Sequence, residues 1–297
     1  MDNDTFNRDM ELFLDQRVDW GRRARLRGGE EGDAAEEVET FKSILRTAAE
    51  VCDDIGRAAR EHWHEEVQLV DGQVVVPKHI AAGYERLRSA GLVCLTLGSE
   101  HGGYGLPLIV NCMFLEMLSR ADASLMTIVG LQTGTAQDIE RYGSEEIKQR
   151  YLPDFASGAL QGAMDLTESQ AGSDLGGIRT RVTVDDDRYT VDGEKIFITN
   201  GGADIHLVLA RDDATFSETK GTTKGLSLIL CPRVLPDGTR NCVRVSRVER
   251  KQGTCGLNID RHHREHRLDQ RLLDDRPVEL DPLLGVLARL PEGALGD

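Results

Sequence analysis

The residues with the most evident chemical potential lie at 164–177, which reads MDLTESQAGSDLGG. This stretch combines hydroxyl side chains, carboxylates and glycines. If residues 162–167 are extended, side chains alternate between two faces, so Asp165 and Thr167 share one face. Three glycines would then let the main chain bend and let a ligand lie directly on backbone amides: Gly172, Gly176 and Gly177.

A second extended segment, KIFITN at 195–200, alternates in the same way, so Phe197 and Thr199 share a face. If the two segments are neighbours, an aromatic ring and two threonine hydroxyls converge on one surface. A flat heteroaromatic ring with polar edges suits such a surface, because the ring contacts Phe197 while the hydroxyls bond its edge. The alternative is structural, since threonine favours strands whether or not it meets a ligand.

The elements that must position these residues change character near residue 160. Before it, apolar side chains recur at steps of three and four, which predicts helices. Pro77 and Gly91 bound one of them, and Ser144 caps another. The predicted helices lie at 41–64, 78–91, 108–119 and 125–142, with a further one after Ser144.

After residue 160 the pattern has period two, and 178–191 predicts a hairpin that turns at 185–187. Short strands with no helical pattern between them favour an antiparallel barrel or sandwich. The predicted fold class is α+β, an N-terminal all-α domain followed by an antiparallel β-barrel domain. We divide the chain into an N-terminal arm (1–40), the helical domain (41–160), the barrel domain (161–255) and a divergent tail (256–297). Further strands are predicted at 195–200, 205–210, 226–231 and 243–248.

Composition disfavours several classes of partner. The 51 acidic and 36 basic residues give a net charge of -15, which repels nucleic acid. An arginine cluster at 17–27 is followed at once by acidic residues, so we interpret it as part of a solvated arm. No segment approaches the roughly 18 apolar residues of a membrane span, and no signal-like start occurs, so we expect a cytoplasmic protein. The six scattered cysteines do not predict a disulfide framework.

Five motifs stand in a fixed order along the chain: GLP at 105–107, GSEEIKQRYLP at 143–153, LTESQAGSDLGGIRT at 166–180, DGEKIFITNGG at 192–202 and GLSLILCP at 225–232. In type and order they resemble the acyl-CoA dehydrogenases, in particular the larger bacterial branch with methylmercaptopropionyl-type enzymes. The resemblance covers roughly residues 40–255.

The resemblance implies FAD, bound without a covalent link against the β-barrel. By position, Thr167 would bond near the reactive edge of the flavin, and Phe197 stands where the family often has tryptophan. Ser173 matches a serine near the CoA portion of the substrate and is thus also a substrate-binding residue. The implied cofactor-binding residues are Met164, Asp165, Leu166, Thr167, Ser173, Phe197, Ile198 and Thr199.

The implied reaction oxidises the Cα–Cβ bond of an acyl-CoA thioester in fatty acid metabolism, with hydride transfer to the flavin. The implied acceptor is electron-transfer flavoprotein or a similar protein, and the implied assembly is a homo-oligomer or a hetero-oligomer with a full-length relative. The family continues through a C-terminal helical bundle that supplies the catalytic glutamate, and the last forty or so residues here do not resemble it. We therefore assign no catalytic base. A truncated, impaired enzyme and a non-catalytic partner subunit or decayed remnant both remain open.

Two other sets of residues invite chemical readings. Glu168 and Asp174 could act as acid or base, but carboxylates beside a glycine loop more often accept main-chain amide hydrogens. A zinc site is the other reading, and its spacing is poor because no CxxC occurs. We therefore predict no metal at Cys242, Cys255, His262, His263 and His266.

Overall fold

The protein is described here from a computed structural model that covers residues 5–26, 28, 34–185, 188–251, 254–256, 259–262 and 288–289. The first half of this part of the chain is helical, as predicted. Among the described helices, none combines the length and apolar composition that crossing a membrane needs. The longer helices are α1 (Arg8–Gln16), α2 (Trp20–Leu26), α3 (Ala34–His62), α4 (Lys78–Ser89), α5 (Leu108–Ala121), α6 (Ala123–Tyr142) and α7 (Glu145–Ala156).

Residues 8–26, which fall in the predicted arm, pack on the helical domain. Leu14 is fully buried, and Met10 and Trp20 are nearly so. The Trp20 ring lies 5.3 Å from that of Phe41 on α3, and its Nε1 donates to the Leu14 carbonyl at 2.6 Å. These helices are therefore part of the helical core, because their apolar stripe outweighs the charged cluster that suggested solvation.

Side-chain caps fix where two central helices begin. Asp122 accepts from the Leu125 amide and begins α6, and Ser144 accepts from the Ile147 amide and begins α7, as predicted. Between α4 and α5 the chain makes a short 3₁₀ turn, Ser99–His101, which Gly102 ends with a φ of 87°. Gly102 is in the left-handed region, which glycine enters without steric cost.

The second half is a sheet domain, as predicted, with a small helix, α8 (Phe216–Thr219), between two strands. A separate hairpin of β1 (Gln68–Val70) and β2 (Gln73–Val75) lies within the helical half. The other strands are β3 (Gly162–Asp165), β4 (Arg181–Asp185), β5 (Arg188–Asp192), β6 (Lys195–Thr199), β7 (Ile205–Asp212), β8 (Leu226–Pro232), β9 (Val245–Val248), β10 (Ile259–His262) and β11 (Ala288–Arg289).

The strands of this domain form a six-stranded and a three-stranded sheet. The predicted hairpin is the antiparallel pair β4–β5, with Val182 opposite Val191. Strand β7 pairs antiparallel with β8 along one edge. Along its other edge β7 pairs in parallel with both β3 and β4, which lie end to end. The second sheet has the order β6-β10-β9. The described pairing is thus partly parallel, because β5 and β6 lie between β4 and β7 in the chain and bring it back in the same direction.

Helices α6 and α7 share a core with the six-stranded sheet. Ile139, Leu152 and Phe155 pack in one cluster with Leu207 and Leu230 from β7 and β8. A second, larger cluster lies within the helical half and includes Leu92, Val93 and Leu95 from the segment after α4. This shared cluster holds the six-stranded sheet against the helices and so sets where β3 lies relative to the helical domain.

We expect Phe155→Ala to lower the free energy of unfolding by about 3–5 kcal/mol, because the Phe155 ring is fully buried between helix and sheet. The matched control is Phe13→Ala, since the Phe13 side chain is exposed, and its effect should stay within about 1 kcal/mol. Chemical denaturation measures both. Equal effects would mean that Phe155 does not join the two domains.

Candidate functional site

The candidate site lies where the loop between β3 and β4 meets β6. This loop, residues 166–180, leaves the edge of β7 at Asp165 and returns to it at Arg181. It contains the glycine-rich motif, and its backbone is not part of either sheet ladder. Backbone released from a ladder in this way is free to meet a ligand.

The two predicted segments are neighbours, although they belong to different sheets. The Ile196 amide donates to the Thr167 carbonyl at 2.8 Å. Lys195 Nζ donates to the Leu166 carbonyl at 2.9 Å. We call this junction, formed by residues 166–168 and 195–197, the seam.

Phe197 occupies an unusual backbone conformation within β6. Its φ is 58°, a left-handed value that is rare for a bulky residue. The pairing of β6 with β10 shifts between Asp260 and His262, so one residue of β10 opposes two of β6 there. Such a bulge re-aims a side chain. Phe197 is accordingly 56% exposed, although its two neighbours in the sequence, Ile196 and Ile198, are buried.

The side chains of the eight predicted cofactor residues differ in accessibility. Asp165 is only 1% exposed, and Ile198 packs with Ala163 and Ala203. Asp165 and Ile198 can therefore contact a ligand only through their main-chain atoms. The common face expected for Asp165 and Thr167 requires a segment that is extended up to Thr167, whereas β3 ends at Asp165, so this expectation stays a prediction. Accessible or partly accessible side chains belong to Met164, Leu166, Thr167, Ser173, Phe197 and Thr199.

Asp165 faces the interior because it pairs with a buried histidine. The His206 Nδ1 lies 3.1 Å from Asp165 Oδ2, and its Nε2 lies 3.2 Å from the Ala203 carbonyl oxygen. His206 is on β7, so this contact links β3 to its partner strand through side chains as well as through the ladder. Hydrogen bonding of this kind is what buried polar groups require.

Glu168 is the most connected side chain of the seam. Its carboxylate accepts from Lys195 Nζ at 2.9 Å and from the amides of Arg179 and Thr180 at 2.8 and 2.9 Å. Gln170 also donates to it. The side chains of Glu168 and Lys195 are 4% and 3% exposed. Glu168 therefore accepts main-chain amides, as predicted, rather than standing free as an acid or base.

Charge and burial compete at this pair. Burial alone raises the pKa of Glu168, but the Lys195 ammonium and the hydrogen bonds outweigh it, so the pKa lies below its usual value. Burial lowers the pKa of Lys195, and the Glu168 carboxylate opposes that effect. The pair is accordingly an ionised contact shielded from water.

The three glycines of the loop have different surroundings. A side chain at Gly172 would meet no atom within 4 Å, as a site for ligand approach requires. A side chain at Gly176 would meet the backbone of Gly221 at 2.9 Å, and one at Gly177 would meet Ala171. These last two glycines therefore serve close packing inside the protein, contrary to the expectation that they open backbone to a ligand. Asp174 accepts from the Gly176 amide at 2.9 Å, as predicted.

The side chain of Arg211 bonds this loop to the segment between β7 and β8. It is fully buried on β7 and donates to main-chain carbonyls on both loops. These include Gly176 at 3.2 Å, Thr219 at 2.9 Å and Thr222 at 2.8 Å. The sequence analysis missed Lys195, His206 and Arg211, although a charged residue inside an otherwise apolar strand is the signal that identifies each of them.

The residues of the rejected zinc reading lie partly outside the described chain. His263 and His266 fall beyond it, and the same is true of the side chain of His262. Cys242 is exposed and Cys255 half-buried, and both are free thiols. The prediction of no metal at these positions stays a prediction.

The chain resembles known proteins in sequence and in fold. Residues 39–159 match the profile of the acyl-CoA dehydrogenase N-terminal domain, and residues 163–266 match that of the acyl-CoA dehydrogenase middle domain. The chain is 38% identical over 177 residues to a 3-methylmercaptopropionyl-CoA dehydrogenase from Ruegeria pomeroyi. That alignment covers 58% of this chain and 29% of the relative.

Solved structures share the fold. A glutaryl-CoA dehydrogenase from Mycobacterium smegmatis in complex with FADH2 has a TM-score of 0.64 at 24% identity, over 84% of this chain and 55% of that one. A structure of the electron transferring flavoprotein of Acidaminococcus fermentans gives 0.66 at 25%, over 82% and 57%. The chain spans less than two thirds of the length of the relatives it matches.

We expect the free energy of unfolding to fall as pH drops through the pKa of Glu168. A lowered pKa in the folded state contributes stability above the unfolded value of about 4.3, and this contribution is lost as pH falls through the folded value. Glu168→Gln should cost about 3–5 kcal/mol at neutral pH, because it leaves Lys195 buried without its counter-charge. The same variant should flatten the acid limb of a denaturation series between neutral and acidic pH.

The matched control is Glu145→Gln, because Glu145 also lies 2.9 Å from a lysine, Lys148, but at the surface. Its acid limb should follow that of the wild type closely, since exposed pairs contribute little. An unchanged acid limb in Glu168→Gln would contradict the buried ionised contact.

Proposed function

The chain belongs to the acyl-CoA dehydrogenase family, and on this premise we propose that it binds FAD and an acyl-CoA thioester and takes part in oxidising the Cα–Cβ bond. The observation that carries the proposal is the seam, where the exposed ring of Phe197 and the partly exposed Thr167 lie on adjacent segments, with the partly exposed Thr199 two residues further along β6. The related M. smegmatis enzyme was solved with FADH2, which supports FAD as the ligand of this surface.

The residues present fit a flavin on an observation independent of the family. Phe197 keeps its ring half exposed in a strained backbone conformation, which costs on the order of 1–3 kcal/mol. Strain of this kind persists where a function needs it. The space beside Gly172 is open as well, so the main chain of the loop is accessible from the side of Ser173.

Within this proposal each group has a role. The Phe197 ring would contact the face of the isoalloxazine, and the hydroxyls of Thr167 and Thr199 would donate to or accept from its polar edge. Met164, Asp165, Leu166 and Ile198 would contribute main-chain or side-chain contacts to the same cofactor, and Ser173 would lie towards the CoA portion of the substrate. FAD, when bound, would supply the acceptor for a hydride from Cβ, and a base to which we assign no residue would take the proton from Cα.

The same proposal extends to partners and location. We propose electron-transfer flavoprotein or a similar protein as the electron acceptor, supported by the likeness to the A. fermentans structure. All six cysteines are free thiols, which supports a reducing compartment such as the cytoplasm.

We expect the purified protein to take up FAD and to show the visible absorbance of a bound flavin. Phe197→Gly removes the ring and also relieves the backbone strain, so it should raise the FAD dissociation constant about tenfold without lowering stability. Phe197→Trp keeps an aromatic ring and is the matched control, with an affinity near that of the wild type. A wild-type protein that binds no FAD would refute the cofactor assignment.

We expect anaerobic addition of acyl-CoA to decolourise the bound flavin where a base takes the proton from Cα, because the substrate then delivers its electrons. Chains of different length, read by absorbance, would give the substrate preference. A colour that persists with every acyl-CoA would favour the second candidate, a non-catalytic chain that binds flavin or acyl-CoA and serves a full-length relative.

A further inference from the structure

The seam joins two sheets that share no strand pairing within the described residues. Strand β3 belongs to the six-stranded sheet and β6 to the three-stranded sheet. A ladder would fix the distance between two strands through repeated main-chain bonds. At the seam, the main chains share the bond from the Ile196 amide to Thr167. Side-chain contacts therefore provide most of the bonding that holds the two sheets at a fixed distance from each other at the seam.

We propose that Lys195 and Glu168 are positioning residues for the cofactor, which set the spacing between Thr167 and Phe197 across the seam. The proposal rests on the proposed function, since it concerns the same surface. Neither residue contacts the flavin in this proposal, because both side chains are buried.

The first argument is placement. Glu168 directly follows Thr167, and Lys195 precedes Phe197 by two residues. Lys195 Nζ bonds both the Glu168 carboxylate and the Leu166 carbonyl, each at 2.9 Å, so one ammonium bonds the chain on both sides of Thr167. A displacement of β6 relative to the loop would have to stretch these bonds first.

The second argument is stiffness. Two opposite charges shielded from water are much harder to separate than an exposed pair. Breaking a buried pair leaves each charge without its partner and without water to solvate it. An apolar contact at the same place would slide more easily, since dispersion is not directional. An ion pair at this point is therefore better suited than an apolar contact to holding the two segments at a fixed distance.

The third argument is that Glu168 also closes the loop. By accepting the amides of Arg179 and Thr180 at 2.8 and 2.9 Å, its carboxylate holds the end of the loop beside its beginning. Ser173 lies within the loop that this carboxylate closes. The proposal therefore extends to the CoA-facing part of the proposed site.

The test compares Glu168→Gln, Lys195→Met and the double variant with Asp213→Asn as matched control. Asp213 accepts from Arg181 at 2.9 Å in a surface pair of the same sheet. Each full-length protein is titrated with FAD at a temperature where far-ultraviolet circular dichroism shows it folded. The readouts are the FAD dissociation constant and the visible circular dichroism of the bound flavin, which reports its surroundings.

The single variants should raise the dissociation constant at least about tenfold and alter the visible dichroism, while Asp213→Asn should match the wild type. The double variant removes both charges, so it should recover stability relative to either single variant but not affinity or spectrum. A folded double variant with wild-type affinity and dichroism would overturn the proposal and assign the pair a purely structural role. Wild-type protein that takes up no FAD would overturn the proposed function together with this proposal.

Discussion

The buried carboxylate of Glu168 is the constraint on which the candidate site depends. It bonds a lysine from one sheet and two amides at the far end of its own loop. Because these partners are shielded from water, the contact is costly to break and therefore geometrically firm. The loop, the end of β3 and the start of β6 consequently form one rigid corner rather than three independently mobile segments.

The course of the chain explains why such a corner is needed. Strands β3 and β4 lie end to end against β7, and the fifteen residues between them, 166–180, belong to no strand of either sheet. A free loop of that length would sample many conformations, at a large cost in entropy when a ligand orders it. Arg211 reduces that freedom from the other side, because its guanidinium bonds carbonyls in this loop and in the next one. The loop is thus held by Glu168 at its two ends and by Arg211 at Gly176.

Sequence patterns predicted much of this architecture because local periodicity decides local structure. The helices, the β4–β5 hairpin and the extended KIFIT segment follow from steps of 3.6 and 2. Arg17, Arg22 and Arg25 are exposed, as expected, but the charge pattern gave no sign that Met10, Leu14 and Trp20 pack on the helical domain. The parallel pairing of β3 and β4 with β7 was also missed, because pairing between distant strands leaves no local signal.

By itself, the sequence determined the order of helices and strands, the glycine-rich loop and the acyl-CoA dehydrogenase resemblance. The common side expected for Phe197 and Thr199 stays a prediction, because the pairing of β6 has a bulge at Phe197. Only the tertiary structure decided that Asp165 turns inward to His206 and that Glu168 and Lys195 meet at the seam. It also decided that Gly176 serves packing against Gly221. The physical reason is that these contacts join residues 27 to 45 positions apart, and proximity across such distances follows from how the elements pack.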